Sequence, residues 1–465
     1  MSTGAVSRLV CTGCGAEPAR DDPYPFRCPN AGSGDGADHV LRRVLDFDAL
    51  RLPPDSAEPN PFVRYRWLLH AYHTAVEGGV SDEEFCELVH RLDERVAAVD
   101  GHGFATTPFG RSAELSNRLG FSAEGGVWVK DETGNVSGSH KARHLFGVLI
   151  WLEVAERLGF ADPSARPDLA IASCGNAALA AAVVAAAGER HLRVFVPVDA
   201  DPVVLTRLAE LGAAVTVCPR KKGVPGDPTV HRLEEALAGG ALAFTCQGNL
   251  NGLAVEGGET LAWEMAATGT PVQRLVVQVG GGALASACIH GFGEAAALGA
   301  IAAAPRIDTV QTRGAWPLKR AYDRVEARGG DAEAVAYAAH HRAEFMWPWE
   351  DEPQSVAHGI LDDETYDWLA VVEGMLATGG APVIAGERTL QQANDLAHDT
   401  TGIDVDPTGS SGLAGLVALR EQGLVTDDER VAVLFTGVSR SHLSEKEEHR
   451  DAELPGSRHP VAQGL

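Results

Sequence analysis

Lys141 closes the stretch VWVKDETGNVSGSHK and stands at the mouth of a helical segment, behind Ser137, Gly138, Ser139 and His140. An amine among small and hydroxyl-bearing neighbours has room to condense with an aldehyde. Farther on, Gly280, Gly281 and Gly282, followed by Ala283, separate the apolar run RLVVQV from a helical one. Bare amides before a helix N-terminus favour phosphate. Ser173, Cys174, Gly175 and Asn176 join a β-rich run to an Ala-rich helix, and Thr436 closes VAVLF. Each residue also has a plain reading: a surface lysine, a helix cap at Asn176, a glycine turn, a strand end. Together, a lysine and a phosphate cradle point to a phosphorylated aldehyde held as a Schiff base, which is the chemistry of pyridoxal phosphate. The motifs GxGxxG and GxxxxGK[ST] do not occur, so nicotinamide cofactors and nucleoside triphosphates lose ground.

The elements that must position these residues alternate between two patterns. Short β-rich runs at 127–130, 168–173, 192–197, 214–219, 274–280, 307–312 and 430–437 are separated by helical segments. Asp201 is the expected N-cap of one helix, and Ser81 with Glu84 forms the capping box of another. Strands alternating with helices predict an α/β class with two open, mostly parallel sheets, flanking helices and a cleft between the sheets. Residues 61–79 have helical periodicity, and the His and Arg residues between 60 and 100 are expected on solvated faces.

The chain is acidic, with a formal net charge of −25, which argues against nucleic-acid binding and against an anionic membrane surface. No apolar run is long enough to span a bilayer, and the start MSTGAVSRLVCTGC does not read as a signal peptide, so the expected location is cytoplasmic. Most of the eight cysteines lie singly in apolar segments, which suits a reducing compartment. The exceptions are Cys11, Cys14 and Cys28, spaced like an incomplete zinc ribbon that Asp38 or His39 could complete; a metal-free knuckle is the alternative.

Several motifs resemble, in order, the fold type II pyridoxal-phosphate enzymes, the group of threonine synthase, serine/threonine dehydratase, cysteine synthase and the tryptophan synthase β subunit. KDETGNVSGSHKAR is similar to the anchor motif, SCGNAA to the Asn loop, VGGGALAS to the phosphate loop and LFTG to the strand end at the pyridine ring. EGGETLAWEM and VDPTGSSGLAG resemble segments of threonine synthase in particular. The resemblance implies that Lys141 is the covalent anchor and moves the Cα proton. It assigns Asn176 to the 3′ oxygen of the cofactor, Gly280, Gly281, Gly282 and Ala283 to its phosphate, and Thr436 to its ring nitrogen. His140 would contact the phosphate or the ring, and Ser173, Cys174, Gly175 and Ser139 would serve the substrate. Lys130, Asn135, Ser137 and Arg143 match anchor-motif positions that include polar groups near a substrate phosphate. It also implies a homodimer. The chain is expected to divide into four segments: a Cys-, Pro- and Gly-rich ribbon at 1–45, a large cofactor-binding domain at 46–144 and 256–440, a smaller domain at 145–255 that closes over substrate, and a polar, Pro-containing tail at 441–465 that reads as disordered.

The implied reaction is a lyase reaction: elimination, with or without replacement, on a small polar L-amino acid carrying an activated β or γ substituent. A dehydratase-type ammonia-lyase giving a 2-oxo acid is the alternative, and a regulatory homologue that binds the cofactor is the non-enzymatic one. Glu259 and Arg313 each reverse a charge relative to threonine synthases. These departures point to a substrate other than O-phosphohomoserine.

Overall fold

The computed structural model describes residues 5–32, 34–50, 56–220 and 227–440; the tail at 441–465 lies outside the described residues. In chain order the strands are β1 (Ser7–Cys11), β2 (Leu41–Leu45), β3 (Phe109–Ser112), β4 (Gly126–Asp131), β5 (Leu169–Ala172), β6 (Leu192–Val196), β7 (Ala214–Val217), β8 (Leu242–Ala243), β9 (Arg274–Gln278), β10 (Arg306–Thr312), β11 (Pro382–Ala385) and β12 (Arg430–Phe435). β1 and β2 form an antiparallel hairpin. The large sheet has the order β11-β10-β9-β12-β4-β3, and the small sheet β7-β6-β5-β8. Only β3, at the edge, runs antiparallel in the large sheet. The class is α/β, with helices packed over the sheets.

Alternation along the central strands explains the two layers of core. Leu275, Val277, Ala432 and Leu434 face a cluster containing Met265, Phe292 and Trp368. Their neighbours Val276, Val431, Val433 and Phe435 face another containing Leu390, Leu413 and Leu416. Each Val, Leu or Phe so buried contributes about 1.5–3 kcal/mol, and a one-residue slip of register would forfeit both faces at once.

Every β-rich run forms a strand. The hairpin β1–β2 and the short β3, β8 and β11 were not expected. β3 reads FGRS, with little β character, and is held by pairing with β4. The helix expected over 61–79 is broken into Pro61–Arg64, a 3₁₀ turn at Arg66–Leu68, and His70–Glu77. At the second break Leu69 is extended, and the His70 N–H donates to the Glu256 carboxylate at 2.7 Å. A tertiary hydrogen bond thus replaces a helical one. Nor are His70 and His73 on a solvated face, although His90, Arg91 and Arg95 are exposed as expected: His70 stacks on Trp151 at 5.3 Å, and burial drives its pKa down to about 3. His73 turns its Nε2 to the Trp67 carbonyl at 2.7 Å. The capping box at Ser81 and Glu84 and the Asp201 cap on Val203 both form.

Candidate active site

Three adjacent strands of the large sheet, β9, β12 and β4, end on the same side, and the chain leaving each carries one part of the site. Ligands of open α/β sheets bind outside the carboxyl ends of strands. The loop after β4 is laid along the end of β12: the His140 N–H donates to the Thr436 carbonyl at 3.1 Å, and the Val438 N–H to the Gly138 carbonyl at 2.9 Å. Lys141 then opens the helix Lys141–Arg157. Ser137 holds a left-handed conformation, φ 56° and ψ 15°, uncommon for a non-glycine residue. Asp100 accepts its N–H at 2.7 Å and Arg440 donates to its carbonyl at 3.0 Å, which fixes that turn.

From the small sheet, Asn176 reaches the same place. It is the first residue of the helix Asn176–Ala187, whose N-cap is Gly175, so the capping role expected of Asn176 is not filled. Its side chain works across the cleft instead: Nδ2 donates to Asp406 at 3.3 Å, and Oδ1 accepts from Arg440 Nη2 at 2.7 Å. Gly437 is needed for this approach, because a Cβ there would lie 2.5 Å from Asn176 Nδ2. Ser173 sits beside Asn176 in the chain, its Oγ accepting the Gly175 N–H at 3.5 Å. Burial pushes the neighbouring Cys174 thiol up, which favours a small apolar group over a reactive thiolate.

Thr436 has a defined polarity. Gln278 Nε2 lies 2.8 Å from Thr436 Oγ1, 2.8 Å from the Gly409 carbonyl and 3.3 Å from that of Leu434. Two carbonyl acceptors demand that this atom be the amide nitrogen. Thr436 therefore accepts from Gln278 and has its own proton to donate outward.

The glycine triplet forms a cradle. Gly282 has φ +101° and hands the chain to the helix Ala283–Ala297. A Cβ on Gly280 would overlap the Asp362 carboxylate, and one on Gly281 would lie 2.9 Å from the Tyr366 ring. The Asp362 carboxylate thus lies directly against the backbone of Gly280 and Gly281. Burial raises Asp362 to about 6 and Asp367 to about 7, and the Lys141 charge opposes both shifts. Burial, then the Lys141 charge, holds His140 well below its ordinary value and His144 at about 3, so both imidazoles are neutral. Buried and without a hydrogen-bond partner here are Ser139 Oγ, His140 Nε2, His144 Nε2 and Gln278 Oε1. A cradle that only glycine permits, with an acid packed against its backbone, and unpartnered buried polar atoms nearby fit a phosphorylated, hydrogen-bonding cofactor.

Lys130 and Arg143 correct the sequence expectation. Both are fully buried. Lys130 Nζ donates to the Thr107 carbonyl at 2.8 Å and to Glu264 at 2.5 Å. Arg143 bonds Glu132 at 2.7 Å and Glu264 at 2.7 Å, and also Thr260 and Thr107. Two cations and two carboxylates neutralise one another in a fully buried network, and every Arg143 N–H is already spent on it. Glu259 and Arg313 also fall in separate surroundings: Glu259 is buried against Arg43, and Arg313 stands exposed at the end of β10, beside Gly386.

Gln278, Asp362, Asp367, Asp406 and Arg440 were not singled out from the sequence. Asp406 lies inside VDPTGSSGLAG, where the motif carried a signal. Asp362 and Asp367 lie in ILDDETYDW, which reads as an acidic surface turn until the fold brings it against the glycines. In the ribbon, ligand atoms of Cys11, Cys14, Cys28 and His39 all lie within 4.8 Å of one another. Asp38 is not among them: it accepts from Arg342 Nε at 3.1 Å and Trp368 Nε1 at 3.2 Å. Among the described residues no helix is long and apolar enough to cross a membrane.

Comparison with known proteins agrees with this geometry. Threonine synthase of Methanocaldococcus jannaschii is 26% identical over 336 residues, covering 71% of this chain and 74% of that protein. Threonine synthase of Methanosarcina acetivorans is 24% identical over 92% of this chain and 91% of that protein. Among solved structures, threonine deaminase isoform 2 of Solanum lycopersicum matches with a TM-score of 0.56 and 16% identity, over 81% of this chain and 95% of that one. Diaminopropionate ammonia lyase of Escherichia coli gives a TM-score of 0.56 at 16% identity, over 80% and 93% respectively, which is a likeness of fold. The family model described as pyridoxal-phosphate dependent enzyme matches residues 102–437, and with Lys141, Asn176, the glycine cradle and Thr436 all inside that span, the chain belongs to this family of enzymes.

Proposed function

We propose that the protein is a lyase that eliminates an activated β or γ substituent from a small polar L-amino acid, with or without replacement. The observation that carries the reading is the meeting of Lys141, Asn176, the glycine cradle and Thr436 at the ends of β4, β5, β9 and β12. Pyridoxal phosphate, when bound, supplies an electron sink that acidifies the Cα–H of an amino acid. Lys141 would hold the cofactor's aldehyde carbon and, once displaced by substrate, would take and return the Cα proton. The amides of Gly280 to Ala283, at a helix N-terminus, hold the phosphate. Asn176 Nδ2, now on Asp406, would hold the 3′ oxygen, with Arg440 keeping the amide oriented. Thr436 donates to the ring nitrogen, since Gln278 occupies its acceptor side. A threonine hydroxyl there, unlike a carboxylate, would not keep that nitrogen protonated, which suits elimination better than transamination. Ser173, Cys174, Gly175 and Ser139 line the substrate carboxylate side, and His140, neutral, packs by the cofactor.

The surroundings also favour one kind of side chain. Lys130 and Arg143 are neutralised in their own network, while Asp362, Asp363, Glu364 and Asp367 crowd the chain that walls the cradle. A neutral or cationic leaving group suits this wall better than phosphate does, which supports a substrate other than O-phosphohomoserine. We also infer that 145–255 closes on bound substrate and that the chain works as a homodimer.

The test is the visible absorption spectrum of the purified enzyme and of Lys141→Ala, titrated with serine, threonine, 2,3-diaminopropionate, O-phosphoserine and O-phosphohomoserine. A band that needs Lys141 and shifts with a non-phosphorylated amino acid is expected. Turnover of O-phosphohomoserine with a kcat of about 1 per second or more would overturn the substrate assignment. A 2-oxo acid and ammonium as products mark simple release, and a new amino acid marks replacement.

A further inference from the structure

We propose that Cys11, Cys14, Cys28 and His39 hold a zinc ion, and that this ion orders Asp38 as a clamp on the acidic chain walling the glycine cradle. The four donors are set for a tetrahedral ion. Cys14 Sγ lies 3.5 Å from Cys28 Sγ, and Cys11 Sγ lies 3.6 Å from His39 Nδ1. Zinc–sulfur bonds of about 2.3 Å and zinc–nitrogen bonds of about 2.0 Å give tetrahedral edges of roughly 3.5–3.8 Å. The sulfur separation is far beyond a disulfide bond length, and all three residues are free cysteines.

The surroundings support ligation as well as the donors do. His39 Nε2 lies 3.0 Å from Asp35, whose carboxylate accepts from Nε2–H in the tautomer that leaves the Nδ1 lone pair toward the sulfurs. A carboxylate behind a histidine ligand fixes its tautomer. The Asn30 N–H reaches Cys28 Sγ at 3.3 Å, and Asn30 Nδ2 reaches Cys14 Sγ at 3.5 Å. Donors onto sulfur suit thiolates. Gly13, between the first two cysteines, lies against the backbone of Asp38, where a Cβ would overlap the Asp38 carbonyl. The turn Cys11–Gly15 therefore packs directly on the residue preceding His39. Binding exchanges thiol protons for zinc, with no change of oxidation state.

The consequence for the enzyme runs through that contact. The Asp38 N–H donates to the Ala339 carbonyl at 2.7 Å, and its carboxylate holds Arg342 and Trp368. Arg342 in turn pairs with Glu364. Trp368 follows Asp367, whose N–H donates to the Gly281 carbonyl at 3.0 Å. The path from metal to cradle is thus one of packed, hydrogen-bonded neighbours: ribbon turn, Asp38, then the segment 362–368. A ribbon without its ion has little core of its own, since its apolar cluster is essentially Cys11, Cys28 and Leu41.

The zinc arm is tested on the full-length protein by elemental analysis and by growth in cobalt. One zinc per chain is expected, and the cobalt form should show the intense d–d bands of a tetrahedral thiolate site. Absence of both bound zinc and the cobalt spectrum would overturn it. The coupling arm uses Asp38→Asn, which leaves every ligand in place, and hydrogen exchange at 360–368. Zinc retained with exchange there faster by roughly tenfold is expected, and unchanged exchange would overturn the clamp. Cys14→Ser should lose the metal and show the same faster exchange. Neither readout depends on the bound cofactor, so failure here is separable from failure of the proposed reaction.

Discussion

Asp362 is the residue whose position most changes the expected chemistry. Its carboxylate lies against the glycine backbone that a cofactor phosphate would use, and burial lifts it to about 6 from an ordinary 3.8. Below about pH 6 it is neutral and competes weakly; above, it is an anion against a dianionic phosphate. Cofactor affinity is therefore expected to fall as pH rises from about 6 to 8, and Asp362→Asn to bind pyridoxal phosphate about tenfold more tightly at pH 8. Equilibrium dialysis across that range decides it, and equal affinity for variant and wild type would rule out the competition. The acid itself was visible in ILDDETYDW, but nothing local distinguishes it from a solvated turn.

At the scale of elements, one buried network locks three together: β4 through Lys130, the helix Lys141–Arg157 through Arg143, and the helix Ala254–Ala267 through Glu264. The contacts also fix the first turn of the helix that carries Lys141. Removing one partner of a buried ion network strands the others, at a cost of about 3–5 kcal/mol. Arg143→Met should lose that much in urea unfolding, because Glu132 and Glu264 lose their main cation. A loss below about 1 kcal/mol would return Arg143 to a role in substrate binding. The sequence reading took these residues for substrate ligands because a motif records which positions are polar; it does not record which way their side chains turn.

For the whole molecule, buried acids set the dependence of stability on pH. One guanidinium, Arg43, faces Glu256, Glu259 and Glu294. Burial pushes Glu256 to about 7 and Glu294 to about 8, from an ordinary 4.5. The folded state then binds more protons than the unfolded chain between about pH 4.5 and 8. Their contribution is complete below the unfolded value and is lost as pH rises through the folded values. The slope is about 1.4 kcal/mol per pH unit for each proton of difference. Stability from urea titrations should fall between pH 6 and 8, and Glu294→Gln should flatten the fall and stabilise the protein at pH 8. A variant with an undiminished slope would assign the dependence to other groups.

Much of this protein was legible in one dimension. Strand runs such as RLVVQV and RVAVLF, caps at Ser81 and Asp201, and the loops carrying Lys141, Asn176, Gly280–Gly282 and Thr436 are local features, decided by periodicity and by residues within a few positions. Edge strand β3, the break at Leu69, the turn of Lys130 and Arg143 into a closed network, and the choice of His39 over Asp38 beside the cysteines were not. Those depend on partners distant in sequence, such as Glu256 for His70, Glu264 for Arg143 and Trp368 for Asp38. The sequence determined which groups the site possesses; only tertiary packing decided which of them are neutralised by one another and which are left to meet a ligand, because buried charges and hydrogen bonds are satisfied by proximity in space.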